Sequence, residues 1–200
     1  MMILFRFRLL ICCVLGFFIL NGCTKTAPIK AYPQITFSHL DPIILNIAAI
    51  EVVSSFNAPQ KRPHVEHLFP VKIDDIVSEW ANTRIDLRGS NDKLSIDIIN
   101  ASVIEKPILV NQGLVDLVKI ESESLYQATI EIQFKIQTNI ALTIKNIKIK
   151  IERDIKEFST LSDRQDLWYE MASEFAQLLN KAAEDMLLHD PDFAPYRFAL

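Results

Sequence analysis

The most regular pattern in the chain runs through Ala128, Ile130, Ile132, Phe134 and Ile136, interleaved with Thr129, Glu131, Gln133, Lys135 and Gln137. A period of two puts one set on each face and predicts a half-buried strand. Leu94, Ile96 and Ile98 alternate likewise, and Ala101 and Val103 continue in the opposite parity. Ile140, Leu142 and Ile144 alternate, then Ile147, Ile149 and Ile151 do. That change of parity predicts a bulge near Lys145-Asn146, after a tight hairpin at Asn139. Ile43 to Phe56 is rich in β-branched residues and also changes parity, which reads as one bulged strand.

Two stretches follow a helical period instead. Between Val71 and Leu87, the residues Ile73, Ile76, Val77, Trp80 and Arg84 or Ile85 recur at helical spacing, Pro70 stands at a favoured first position, and Asp74 and Asp75 complement the helix dipole. Gly89 is a plausible stop. Near the C-terminus, Ser162-x-x-Gln165 has the spacing of a capping box. Trp168, Met171, Phe175, Leu178, Ala182 and Met186 form an apolar stripe there, with Leu167 and Leu179 beside it, and Pro191 ends the helix. The order is β-α-β-β-β-α. Strands with one polar face need cover on the other only. The expected fold is two-layer α+β, a four-stranded, mostly antiparallel sheet with two helices on one face. Its limits are 43–188, preceded by a proline-bearing extended tether over 23–42 and followed by a mobile tail over 189–200.

Residues 1–22 read as a signal peptide. Arg6 and Arg8 precede an unbroken apolar run of 12 residues, Leu9 to Leu20. Such a run makes about 18 Å of helix, short of the roughly 30 Å hydrocarbon core. A basic flank, a short apolar core and a small residue before the cut complete the pattern. Half of the chain is apolar, 23% is charged, and the formal charge is −4. Disorder and bulk electrostatic binding of nucleic acid are thereby disfavoured. The four glycines are Gly16, Gly22, Gly89 and Gly113, too scattered to write a phosphate-binding loop.

Leu20-Asn21-Gly22-Cys23 resembles the bacterial lipobox. The resemblance implies cleavage between Gly22 and Cys23 and acyl chains, palmitate among them, on Cys23. Such chains make a stable anchor when more than one is present. Thr24 in place of an aspartate implies the periplasmic face of the outer membrane of a Gram-negative cell. Cys12 and Cys13 leave with the signal, so the mature chain offers no thiol nucleophile and no disulfide. No cofactor is expected apart from this covalent lipid. The segments Glu66-His67-Leu68-Phe69-Pro70 and Trp168-Tyr169-Glu170 are similar to an uncharacterised group of alphaproteobacterial lipoproteins. The element order behind a lipidated start resembles, more distantly, the auxiliary lipoproteins of ABC-type transport systems and the lipopolysaccharide-assembly lipoprotein.

Four places invite a chemical reading. His64, Glu66 and His67 form an H-x-E-H pattern in a proline-bounded loop, Arg62 to Pro70. It reads as a metal or proton site, or as a loop docked by Val65, Leu68 and Phe69 whose polar groups cap the helix start. The spacing is not H-E-x-x-H, and no metal is expected. Trp80 and Trp168 read as core, or as a ligand-binding pair. Lys135, Lys145, Lys148, Lys150 and Arg153, among Glu131, Glu152 and Asp154, read as a solvated mixed face, or as an anion site. Pro107 to Ile120 joins two strands, yet eight of its 14 residues are Ile, Leu or Val. It either folds back on the sheet edge or presents Leu114, Leu117 and Val118 to a partner or membrane. No enzyme signature is present. The expected role is a non-catalytic accessory protein of the envelope, docking on another envelope or transport complex. The alternative is a periplasmic carrier of lipid or a small molecule, with an apolar pocket between helices and sheet.

Overall fold

In the computed structural model the described residues are 30–110, 121–138, 141–156 and 159–198. The chain divides into Met1–Ala31 and a compact unit, Tyr32–Leu200. The second unit runs β1 (Ile43–Leu45), β2 (Ala49–Ser54), α1 (Ile73–Arg84), β3 (Ile85–Leu87), β4 (Lys93–Val110), β5 (Glu121–Gln137), β6 (Leu142–Lys156) and α2 (Leu161–His189). Short 3-10 turns occupy Glu66–Leu68 and Pro191–Tyr196. The main sheet has the order β2-β4-β5-β6, with β2 parallel to β4 and the other two ladders antiparallel. The mixed α+β class, the mostly antiparallel four-stranded sheet and the two helices are as expected.

The stretch 43–56 is two strands rather than one bulged strand. β1 pairs in parallel with β3, and β2 in parallel with β4, so the parity change marks a switch between sheets. Parallel partners need a long crossover, which the loop after β2 and α1 supply. The first helix ends at Arg84, because Ile85–Leu87 leaves it to pair with β1. Gly89 therefore does not stop the helix. Its backbone lies against β1, where a Cβ would stand 2.4 Å from the Asn46 carbonyl carbon and the Ile47 nitrogen.

The expected parity change in β4 is a true register shift between Ile98 and Asn100. The expected bulge near Lys145-Asn146 is not there: the β5–β6 ladder runs unbroken from Gln137↔Leu142 to Glu123↔Lys156. Leu142 and Ile144 simply face solvent, at 57% and 44% exposure, while Ile147, Ile149 and Ile151 face the core. Asn139 lies outside the described residues.

α2 starts earlier than its predicted cap. Thr160 is the N-cap: its Oγ1 accepts from Asp163 N at 3.2 Å, and its own N–H donates to Asp163 Oδ2 at 2.7 Å. The buried stripe is Trp168, Met171, Ala172, Phe175, Ala176, Leu179, Ala183 and Leu187. Leu178 is exposed, so the stripe passes one residue further along than the spacing suggested. Between the layers Trp80 meets Phe134 edge to face at 6.0 Å, and its Nε1 donates to Asn180 Oδ1 at 3.1 Å. Arg84, also buried, donates from Nε to the same oxygen and from Nη2 to Glu184.

Two flanks expected to be loose are packed. Within the expected tether, Phe37 is buried, and the Tyr32 hydroxyl donates to Asp166 Oδ1 at 2.9 Å. In the expected mobile tail, Phe193 and Tyr196 are buried. Asn46 N donates to Tyr196 O at 2.8 Å, and Arg197 bridges to Leu45. Apolar side chains at these positions gain more by burial than the chain loses in ordering.

Candidate functional site

The site is built where β4 and β5 outrun β2. The last β2 pair is Ser54↔Ile98, whereas the β4–β5 ladder continues to Val110↔Glu121. Beside the vacated edge lies the loop 62–70. Val65 N donates to Val103 O at 2.9 Å, Glu105 N to Pro63 O at 2.8 Å, and His64 forms a bridge with Ile104. The Glu66 carboxylate accepts from Val103 N at 3.1 Å. The docked-loop reading thus holds for Val65 and Phe69, which are buried, but not for Leu68, which is 47% exposed.

Against this loop stands the start of α2. Trp168 stacks on Phe69 at 5.9 Å and meets Tyr126 edge to face at 5.9 Å. One turn earlier, Arg164 Nη1 donates to Glu105 Oε1 at 2.7 Å and to Tyr126 Oη at 2.9 Å. The Tyr126 hydroxyl donates to the same Glu105 oxygen at 3.1 Å, and Arg62 stands 3.8 Å from the other. Burial acts to raise the Glu105 carboxyl, but the hydrogen bonds from Arg164 and Tyr126 and the charge of Arg62 outweigh it and hold the group below its ordinary range. Burial, with the Glu105 charge, pushes the Tyr126 hydroxyl up. Arg62, Leu68, Glu105, Leu161, Arg164 and Trp168 line a pocket of about 250 Å³.

Buried polar groups nearly always find a partner. Among the described residues four such side-chain atoms are buried without one: Trp168 Nε1, His64 Nδ1 and Glu66 Oε1 lie at this end of the sheet, and Arg84 Nη1 lies between the helices. His64 Nδ1 stands 3.6 Å from Glu66 Oε2, an ion-pair distance only if the imidazole is protonated. His67 points elsewhere, into a second opening of about 450 Å³ that Glu66, Lys72 and Asp74 also line. Among the described residues no group of three His, Cys, Asp or Glu side chains is arranged to hold a metal ion.

Both tryptophans are core residues, Trp80 at 0% and Trp168 at 3% exposure. The basic side chains divide between two faces of the sheet. Lys135, Lys148 and Lys150 alternate with the buried residues and lie on the open face, with Lys148 3.5 Å from Glu131. Lys145 and Arg153 share the parity of Ile147 and turn to the helix side, where Lys145 binds Asp190 and Asp192 and Arg153 binds Glu174. The centre of the interface between helices and sheet is filled among the described residues by Trp80, Phe134 and Phe175, each 0% exposed, while its margin between β6 and α2 is open. Pro107 to Val110 belong to β4. Gly22, Cys23, Leu114, Leu117 and Val118 lie outside the described residues. Among the described residues no helix is long and apolar enough to cross a membrane.

The Arg62–Glu105–Arg164–Tyr126 group carries no sequence motif, though two signals of it stand in the chain. Glu105 is a charged residue on the inward parity of Ala101 and Val103, and Arg164 sits one turn before Trp168 on the apolar stripe. An ion on an inward face calls for a counter-ion.

No family model matches the chain, and no curated protein matches it. Solved structures similar to it in part include two lipoproteins. The rare lipoprotein B from Shewanella oneidensis has 17% identity over 70% of this chain and 97% of that one, with a TM-score of 0.38. A minor lipoprotein from Acinetobacter baumannii has 15% identity over 80% of this chain and 99% of that one, with a TM-score of 0.37.

Proposed function

We propose that this chain is a non-catalytic, lipid-anchored accessory protein of the Gram-negative envelope that docks on another envelope or transport complex through the far end of its β4–β5 hairpin. The observation that carries the reading is the prolonged ladder. Past Glu105, β4 has no neighbour on its outer side among the described residues, yet pairing with β5 continues to Val110↔Glu121. The ten residues joining the two strands include Leu114, Leu117 and Val118. Apolar side chains left exposed forgo burial that a partner can recover. Exposed Leu68 and Leu161, beside Arg62, extend the apolar surface at the same end. The lipobox supplies the anchor, through Cys23, and Thr24 favours the periplasmic face of the outer membrane.

One experiment with two variants tests this. Cys23→Ser is expected to lose incorporation of a radioactive fatty acid, and equal labelling would end the anchor reading. Replacing Leu114, Leu117 and Val118 by Ser is expected to leave the denaturation midpoint nearly unchanged while abolishing photocrosslinks formed from position 116. A loss of several kcal/mol, at about 1.5–3 kcal/mol for each buried aliphatic side chain, would instead place the three inside the fold.

A further inference from the structure

A second surface, away from the hairpin end, has the form of a peptide groove. β6 is the last strand of the sheet and pairs with β5 alone. One edge of its backbone is therefore unpaired among the described residues, and an unpaired edge is a template for another strand. α2 passes antiparallel to this edge and is strapped to it at two points. Lys145 Nζ binds Asp190 at 2.9 Å and Asp192 at 2.7 Å, and Arg153 binds Glu174. Between the straps, residues 147–150 face residues 178–189 across a groove of about 780 Å³. Ile147, Ile149, Leu178 and Ala182 give it an apolar lining.

The charges around this groove are unequal in their availability. Glu184 is held by Arg84, Asp185 lies 3.2 Å from His189, and Lys148 lies by Glu131. Lys150 and Lys181 also line the groove, are exposed, and have no ion-pair partner among the described residues. Glu184 is answered within the molecule, Asp185 only when His189 is protonated, and the two cations not at all among the described residues. Four residues of strand span about 13 Å, enough for a short added strand whose alternate side chains turn into the groove.

We propose that β6 receives an extended acidic segment of a partner protein as a fifth strand. The added backbone pairs with the free edge of β6, apolar side chains of alternate positions enter the groove over Ile147 and Ile149, and carboxylates lie by Lys150 and Lys181. This is strand addition, in which main-chain hydrogen bonds supply affinity and alternate side chains supply choice. The surface is separate from the hairpin end, so it stands or falls independently of the docking reading above.

The probe is a fluorescein-labelled eight-residue peptide alternating valine and glutamate, titrated into the full chain by fluorescence anisotropy. Saturable binding is expected, with amide shifts at residues 147–150. The same side chains on a fully N-methylated backbone are expected not to bind, nor is a valine–lysine peptide. Lys150→Glu with Lys181→Glu is expected to weaken binding about tenfold, the scale of reversing two exposed charge contacts, with an unchanged melting curve. Equal binding of the N-methylated peptide would overturn strand addition whatever the variants do, and so would the absence of binding. Equal binding by the charge-reversed variant would overturn the acidic partner. A dimer in sedimentation that Lys150→Glu dissociates would make a second copy of this chain the occupant, and overturn the proposal.

Discussion

Trp168 is packed on Phe69 and Tyr126, yet its indole N–H has no partner among the described residues. Those two facts pull in opposite directions. Trp168→Ala is expected to cost about 3–5 kcal/mol through lost transfer energy and a cavity, a large share of a typical stability of about 5–15 kcal/mol. Trp168→Phe keeps the ring contacts and removes the orphaned donor, so its melting temperature is expected to stay at or above that of the parent. A strongly destabilised Phe variant would mean that a bound water or ligand answers the N–H. Glu105 carries the second residue-scale consequence. Its carboxyl is held below the ordinary value of 4.5 in the folded chain. A group depressed by folding adds stability above its unfolded value and loses it as the pH falls through its folded one. Glu105→Gln is thus expected to flatten the acid limb of the stability profile below about pH 4.5, measured by urea unfolding across pH. Superimposable acid limbs would show that the Arg164 pairing contributes nothing.

Among the elements, what could be read in advance depended on how local the cause was. β5 was legible because each of its inward residues is apolar from Ala128 to Ile136 and both its neighbours are strands. The β4 parity switch was legible because a bulge shows as a one-residue slip. At β6 the same signal misled, since an edge strand near a turn can leave Leu142 and Ile144 in solvent without slipping. The end of α1 and the division of 43–56 were beyond reach, because both are set by pairing between residues about forty positions apart. The α2 stripe departs by one residue from the spacing of three and four because steps of four, from Phe175 through Leu179 and Ala183 to Leu187, follow the sheet. In the site, the loop was visible as an odd composition. Its partners Glu105 and Arg164 were not, since an inward charge is recognised only once inward is known. Gly89 is the element-scale test. A methyl group there meets the Asn46–Ile47 backbone just after β1, which has no flexible end to give way. Gly89→Ala is expected to lower stability by about 1–3 kcal/mol or more. An unchanged midpoint in chemical denaturation would show that β1 and the turn after β3 move apart freely.

At the scale of the whole molecule, the seam between β1 and the final turn sets an order of assembly. Arg197 bridges Leu45, Tyr196 accepts from Asn46, and Phe193 and Tyr196 are buried. The two lips of this seam lie about 150 residues apart along the chain. A chain emerging N-terminus first cannot close it until residues 193–197 have followed, so β1 waits about 150 residues for its partner. Truncation after Asp190 is expected to leave the helical signal in place, lower the melting temperature, and open the chain near residues 43–47 to proteolysis. If the shortened chain resists protease as the whole one does, the tail is cargo and the molecule closes without it.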